Sequence, residues 1–115
     1  MKKILALAMA AALCVAALSG CGNAADKQSV DAIKKAGKIT MATNAEFPPF
    51  EYLENDKVVG VDADIAAEIA KDLGVELEIV DGKFDAVIPS VQSGKVSFGA
   101  AGMTVTEERE KEVDF

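Results

Sequence analysis

Strand-like and helix-like segments alternate along most of this 115-residue chain, and that order limits the folds open to it. β-Branched and apolar residues predict strands at Lys38–Thr43, residues 76–80 and residues 96–101. The predicted helices are Val30–Ala36, the segment between Asp62 and Gly74, and residues 86–93. This order indicates an α/β fold with a parallel, twisted sheet and flanking helices. Ligands of such sheets bind beyond the carboxyl ends of the strands.

Capping residues set the predicted helix ends. Ser29 and Gly37 bound the first helix, Asp62 and Gly74 bound the second, and Asp85 is expected to cap the third. The second helix is expected to bury one apolar stripe formed by Ile65, Ala66, Ile69, Ala70 and Leu73.

Between the first strand and the second helix, the sequence favours a loop and a hairpin. Two consecutive prolines predict a loop at residues 44–49, since proline cannot donate to a sheet. Asn55 and Asp56 suit the turn between two short strands.

The first twenty residues are typical of a secretion signal, because Lys2 and Lys3 precede an apolar run at residues 4–18. The run Leu18-Ser19-Gly20-Cys21 resembles the bacterial lipoprotein processing box. We therefore expect cleavage before Cys21 and its acylation, for example with palmitate. More than one acyl chain is needed to hold a protein firmly on a membrane. The alternatives are an uncleaved anchor and a free thiol at Cys21.

Residues 21–29 are predicted to form a tether, and residues 30–115 at most one small domain. Without the leader, ten basic and nineteen acidic residues remain, a net charge of −9, which argues against a nucleic-acid partner. No metal site is expected, because the chain has no histidine and Cys14 lies in the leader. Asp62 and Asp64 are interpreted as helix-start residues rather than as metal ligands or an acid-base pair.

Arg109 is the only arginine of the chain and follows a glycine and a threonine, Gly102 and Thr104. A planar fork of N–H donors suits bidentate capture of a carboxylate. Arg109 would lie in the first turn of a helix capped by Thr106, where the helix dipole disfavours a cation. The alternative is a solvated ion pair with Glu112, which contributes only about 0.2–0.5 kcal/mol.

Four motifs together resemble the family 3 extracellular solute-binding proteins, the amino-acid receptors of ATP-binding cassette (ABC) importers. The motifs lie at residues 44–52, 60–66, 84–94 and 102–109, and the resemblance extends over residues 39–115. It implies a two-lobed receptor of the type II periplasmic-binding-protein fold. This chain would supply an incomplete first lobe, with the second lobe absent.

The resemblance also implies roles for individual residues. Arg109 would hold the α-carboxylate of the ligand, assisted by the hydroxyl and backbone N–H of Thr104, while the Gly102 carbonyl would accept from the α-ammonium group. Phe47 and Phe84 would enclose the ligand side chain, although core packing is the alternative for each ring.

Asn44 belongs to the implied ligand site but departs from a frequent family pattern, in which aspartate pairs with the ligand side chain. The neutral amide weakens the case for a strongly cationic ligand. Glu46 and Glu51 could restore negative charge, or they could be solvated loop carboxylates, so lysine and arginine are not excluded.

The implied function is that of a lipid-anchored, extracytoplasmic binding protein that delivers polar amino acids to an ABC permease. We expect a monomer with no cofactor and no enzymatic activity. The alternatives are a secreted prephenate- or arogenate-type dehydratase, which would need a general acid beside the ligand, and an amino-acid sensor domain. Without the second lobe, we expect this chain to be poorly stable or to bind weakly.

Overall fold

The computed structural model describes residues 28–115, and its elements follow the predicted order. The helices are α1 (Val30–Ala36), α2 (Val61–Leu73), α3 (Val87–Gln92) and α4 (Glu107–Glu110), with a 3-10 turn at Phe84–Ala86. The strands are β1 (Lys38–Thr43), β2 (Glu46–Phe47), β3 (Glu51–Glu54), β4 (Lys57–Val59), β5 (Glu76–Asp81) and β6 (Phe98–Gly99).

A three-stranded parallel sheet in the order β5-β1-β6 forms the centre of the fold. Met41 of β1 pairs with Ile79 on one side and with Phe98 on the other. The α/β class with a parallel sheet and flanking helices is therefore confirmed. The third strand, Phe98–Gly99, is shorter than the predicted residues 96–101. At its start, Ser97 and Thr40 exchange hydrogen bonds between side chain and backbone.

A second, antiparallel sheet has the order β2-β3-β4. The predicted turn between β3 and β4 is confirmed, since Asn55 and Asp56 have φ values of 51° and 60°. Both central residues of a type I′ turn require positive φ. The predicted loop at residues 44–49 also contains β2, which pairs with β3.

Helix α2 buries only part of the predicted stripe. Ala66 and Ala70 are buried as predicted, and Leu73 packs against the core cluster that contains Ala70. The buried residues of α2 are Ala63, Ala66 and Ala70, whereas Ile65 is 55% exposed and Ile69 is also exposed. Both faces carry apolar residues at helical spacing, so periodicity alone could not choose between them.

Two of the predicted helix starts are wrong. Gly60 precedes the first turn of α2, and no side chain caps that helix, so Asp62 is not its N-cap. The predicted third helix begins with the 3-10 turn, and α3 itself has no side-chain cap, so Asp85 does not cap it either. The caps at Ser29, Gly37 and Gly74 are confirmed.

The described structure begins at Gln28, whose side-chain amide donates to the carbonyl oxygens of Val91 (2.7 Å) and Val96 (2.9 Å). The predicted signal peptide, Cys21 and most of the predicted tether lie outside the described residues. No helix among residues 28–115 has the length and hydrophobicity needed to cross a bilayer.

Met41 and Ile65 provide a matched test of which residues form the core. Met41 lies in the central strand and is 0% exposed, so Met41→Ala should lower the free energy of unfolding by about 2–5 kcal/mol. Ile65→Ala on the exposed face of α2 should change it by less than about 0.5 kcal/mol. Urea denaturation of both variants measures the difference. Equal losses would show that Ile65 is buried after all.

Candidate functional site

Three loops meet at the carboxyl edge of the parallel sheet, as expected for an α/β fold. Asn44 follows β1, Phe84 follows β5, and the segment 100–106 follows β6. The Asn44 side chain donates to the Gly82 carbonyl oxygen (2.9 Å), and the Ala45 N–H donates to the Asp81 carboxylate (2.8 Å). These two bonds join the first loop to the second.

Arg109 is held at the start of α4 by contacts with three residues of this edge. Thr106 caps the helix as predicted, its hydroxyl accepting from the Arg109 N–H (3.2 Å). The guanidinium Nη1 donates to the Thr104 carbonyl oxygen (2.7 Å), and its central carbon lies 5.4 Å from the centre of the Phe84 ring. That distance is within the range of a cation–π contact.

The alternative ion pair of Arg109 is not formed. Within residues 28–115, the ion pairs are Lys38–Glu78 and Lys71–Glu68, and the contact between Glu112 and Arg109 is between backbone groups. The guanidinium has five N–H donors, and the protein uses one of them in the described region. The remaining donors are available to a carboxylate.

The two predicted phenylalanines occupy different surroundings. Phe84 is half-buried and packs against the core cluster of Ala42, Val87, Val96 and Ala101, so the ring serves the core while it faces Arg109. Phe47 is 50% exposed and stacks obliquely on Phe50, with ring centres 5.1 Å apart. The structure therefore pairs Phe84 with Arg109 and Phe47 with Phe50.

Gly102 lies in close contact with Phe47. Its φ is +55°, and a Cβ atom added there would lie 2.7 Å from Cδ1 of the Phe47 ring. Glycine is therefore required both by the backbone conformation and by the available space. The Gly102 N–H donates to the Asp62 carboxylate (3.1 Å), which fixes the orientation of this peptide.

Two cavities adjoin the site. The smaller, of about 350 Å³, is lined by Asn44, Glu46, Asp81, Gly82, Lys83 and Phe84. The larger, of about 760 Å³, runs along β6 and includes Gly102, Met103, Asp62 and Phe50 in its lining. Of the residues predicted for the ligand site, Asn44 and Phe84 line the smaller cavity and Gly102 lines the larger.

Glu51 and Asp62 are site residues whose positions the sequence did not indicate. Glu51 is 1% exposed rather than a solvated loop residue, and burial raises the pKa of its carboxyl group to about 7, with neighbouring Asp62 acting in the same direction. Asp62 accepts from Gly102 instead of capping α2. Strand alternation could not have identified Glu51, because Leu53 on the same face of β3 is exposed.

Comparison with known proteins identifies the family. Residues 39–115 match the family model of the bacterial extracellular solute-binding proteins, family 3. The chain is 41% identical over its whole length to the arginine-binding extracellular protein ArtP of Bacillus subtilis (strain 168) and covers 43% of that protein. It is 36% identical over 86 residues to the arginine-binding protein ArgT of Corynebacterium glutamicum, which spans 74% of the chain and 28% of the relative.

Solved structures agree with this result. The arginine-bound form of domain 1 from TmArgBP is 50% identical and superposes with a TM-score of 0.70 over 72% of this chain and 67% of that domain. The ancestral amino-acid-binding protein AncCDT-1, a precursor of cyclohexadienyl dehydratase, is 41% identical with a TM-score of 0.71, over 75% of this chain and 39% of that one. The chain belongs to the family 3 solute-binding proteins and spans less than half the length of the full-length relatives it matches.

The contact between Gly102 and Phe47 can be tested by adding one methyl group. Gly102→Ala would place that methyl 2.7 Å from the ring at a positive φ, so it should cost about 1–2 kcal/mol of stability and displace Phe47. Gly82→Ala is the control, because nothing lies within 4 Å of its added Cβ. Urea denaturation and the NMR signals of Phe47 report the two effects. An unshifted ring with unchanged stability would contradict the contact.

Proposed function

We propose that this chain is the amino-acid-binding part of the first lobe of an extracytoplasmic receptor that serves an ABC importer. The observation that carries the proposal is the guanidinium of Arg109, fixed by the Thr104 carbonyl and the Phe84 ring with donors left over. A prepositioned fork binds a carboxylate at lower entropic cost than a mobile one. In this proposal Arg109 and Thr104 donate hydrogen bonds to the α-carboxylate of the ligand, and the Gly102 carbonyl accepts a hydrogen bond from its α-ammonium group.

The proposed ligand is a polar amino acid, and arginine is the first to test. Several relatives are named as arginine-binding proteins, and others as histidine- or cystine-binding proteins. In this chain the smaller cavity is lined by the acidic residues Glu46 and Asp81 together with Asn44 and Phe84, and the one cation of its lining is Lys83. Phe84 would cover one face of the ligand side chain, while Glu46 supplies negative charge near its end.

Binding by a first lobe alone has support from a relative. Domain 1 from TmArgBP, which resembles this chain over 72% of its length, has a structure in an arginine-bound form. The contacts proposed here for the carboxylate also come from one lobe. A second lobe would add contacts to the α-ammonium group, so the affinity of the first lobe alone should be lower than that of a two-lobed receptor.

The dehydratase alternative finds less support. Such an enzyme needs a general acid within hydrogen-bond reach of its substrate. Among residues 28–115, Glu51 has a carboxyl group whose pKa is raised to about 7, as a general acid requires. That carboxyl group is buried, however, and is not exposed to a ligand at the edge of the sheet. The relatives ArtP and ArgT are both named for binding arginine rather than for catalysis.

Titration calorimetry of Arg109 variants tests the proposal. Arg109→Lys keeps the charge but loses the fork, so affinity for the preferred amino acid should fall about 10- to 100-fold. Arg109→Gln should abolish measurable binding. Lys111→Gln, which removes another cation from the same helical turn, is the matched control and should bind normally.

The purified protein would be titrated with arginine, lysine, histidine and glutamine, and incubated with prephenate in a separate assay. Equal affinities for the protein and its Arg109→Gln variant would overturn the assigned role of Arg109. Conversion of prephenate to an aromatic acid would favour the dehydratase.

We further propose a signal peptide at residues 1–20, a lipid anchor on Cys21, a tether at residues 21–29 and a partial first lobe at residues 30–115, with the mature protein a monomer. In a bacterial host, the protein should sediment with membranes and incorporate labelled palmitate. Cys21→Ser should abolish the label and release the protein, whereas Cys14→Ser, inside the predicted leader, should change neither. Label on the Cys21→Ser variant would rule out this anchor.

A further inference from the structure

Glu51 is a buried carboxyl group that nothing in residues 28–115 neutralises. Its side chain is 1% exposed, and neither of its oxygens accepts a hydrogen bond from a donor among the described residues. An isolated charge in such a place costs far more than a fold can normally sustain, so the group takes up a proton instead. Burial accordingly raises its pKa to about 7.

Asp62 is the titratable group that faces Glu51, and it is also bonded to the ligand loop. Asp62 lies in the first turn of α2, and its carboxylate helps to raise the pKa of Glu51. The same carboxylate accepts a hydrogen bond from the Gly102 N–H (3.1 Å). Two uncharged groups also lie here, the Phe47 ring from β2 and the backbone at Gly102. A Cβ atom added at Gly102 would lie 2.7 Å from that ring and 3.5 Å from Oε1 of Glu51.

On the basis of the proposed function, we propose that Glu51 holds a proton and that this neutral acid and the Asp62 carboxylate, together the acid pair, position the Gly102 peptide for the ligand. Both are positioning residues, since the ligand itself would contact Gly102, Thr104 and Arg109. With the proton on Glu51, Asp62 carries the single negative charge of the pair and holds the Gly102 N–H by a charge-assisted bond. The Gly102 carbonyl then stays where it can accept from an α-ammonium group.

Loss of the proton weakens this arrangement. Two carboxylates in a poorly solvated place repel each other, and the repulsion is relieved when the Asp62 carboxylate moves away from Glu51. That movement takes the acceptor away from Gly102. Affinity for an amino acid is therefore greatest below about pH 7, where Glu51 is neutral, and falls as the pH rises through that value. A fall of at least about fivefold is expected, the lower end of ordinary coupling between two sites.

Three variants of the whole protein separate positioning from simple support of the fold. Glu51→Gln mimics the protonated acid, so its affinity should stay constant between pH 5.5 and 8.5. Asp62→Asn keeps an oxygen for Gly102 but removes the charge, so the fall in affinity should disappear or move to lower pH. Asp64→Asn, an exposed carboxylate of the same helical turn, is the control and should keep the wild-type profile.

The experiment combines calorimetry with arginine as the probe and NMR of the Gly102 amide in the ligand-free protein. In the wild type the Gly102 amide signal should titrate with a midpoint near pH 7, and in Glu51→Gln it should not. Parallel fall of affinity and shift of this signal, both absent in Glu51→Gln, is the result expected. A Gly102 signal that does not titrate, or a Glu51→Gln profile identical to the wild type, would overturn the proposal.

The NMR arm also distinguishes this proposal from the proposed function. If Gly102 titrates as expected but no amino acid binds at any pH, the link between the acid pair and Gly102 stands and the receptor function fails. If arginine binds with an affinity that does not change between pH 5.5 and 8.5, the receptor function stands and the acid pair has no part in it.

Discussion

The pairing of β1 with a parallel strand on each side determines where everything else lies. β5 and β6 both run in the same direction as β1, so the loops that follow all three strands leave the sheet at one edge. Asn44, Phe84 and the 100–106 segment come from places far apart in sequence, and this pairing brings them together. Hydrogen bonds of two side chains then join the first loop to the second. Asn44 donates to the Gly82 carbonyl oxygen, and Asp81 accepts from the Ala45 N–H.

Arg109 shows how local electrostatics and tertiary contacts are balanced at this edge. A cation in the first turn of a helix opposes the helix dipole, and Glu107 and Glu108 beside it suit that position better. The structure offsets the disadvantage with a carbonyl acceptor from Thr104 and an aromatic face from Phe84. Phe84 in turn is held by the core cluster that contains Val87 and Ala101. The orientation of the guanidinium thus depends on core packing as well as on its own helix.

Sequence reasoning succeeded where a local signal and the tertiary structure agree. Gly37 and Gly74 adopt the left-handed conformation expected of helix ends, Asn55 and Asp56 form the expected turn, and Thr106 caps α4. It failed where two local choices were equally good. Helix α2 has apolar residues on two sides, and the predicted stripe combined Ile65 with Ala66, whereas only Ala66 is buried.

The site was less accessible to prediction than the fold. The motif resemblance named Arg109, Gly102 and Phe84, and the structure places them at one edge of the sheet, but the contact between Gly102 and Phe47 depends on distances that no pattern expresses. Asp62 illustrates the difficulty, because a carboxylate at the start of a helix usually satisfies the helix's own N–H groups. Here Gly60 takes the cap position without a side-chain bond, which leaves the Asp62 carboxylate for a more distant donor.

The acid pair adds a constraint of a different kind from the parallel sheet. The sheet fixes the position of the loops, whereas Glu51 and Asp62 act on the orientation of one peptide within a loop. Replacing both by apolar residues would remove the cost of a buried carboxyl group but would also leave the Gly102 N–H without its acceptor. A buried ionisable group that costs stability is expected where it controls a contact needed for binding. In the proposed receptor, that contact is the one between Gly102 and the α-ammonium group of the ligand. Gly102 packs closely against Phe47 and donates its N–H to Asp62.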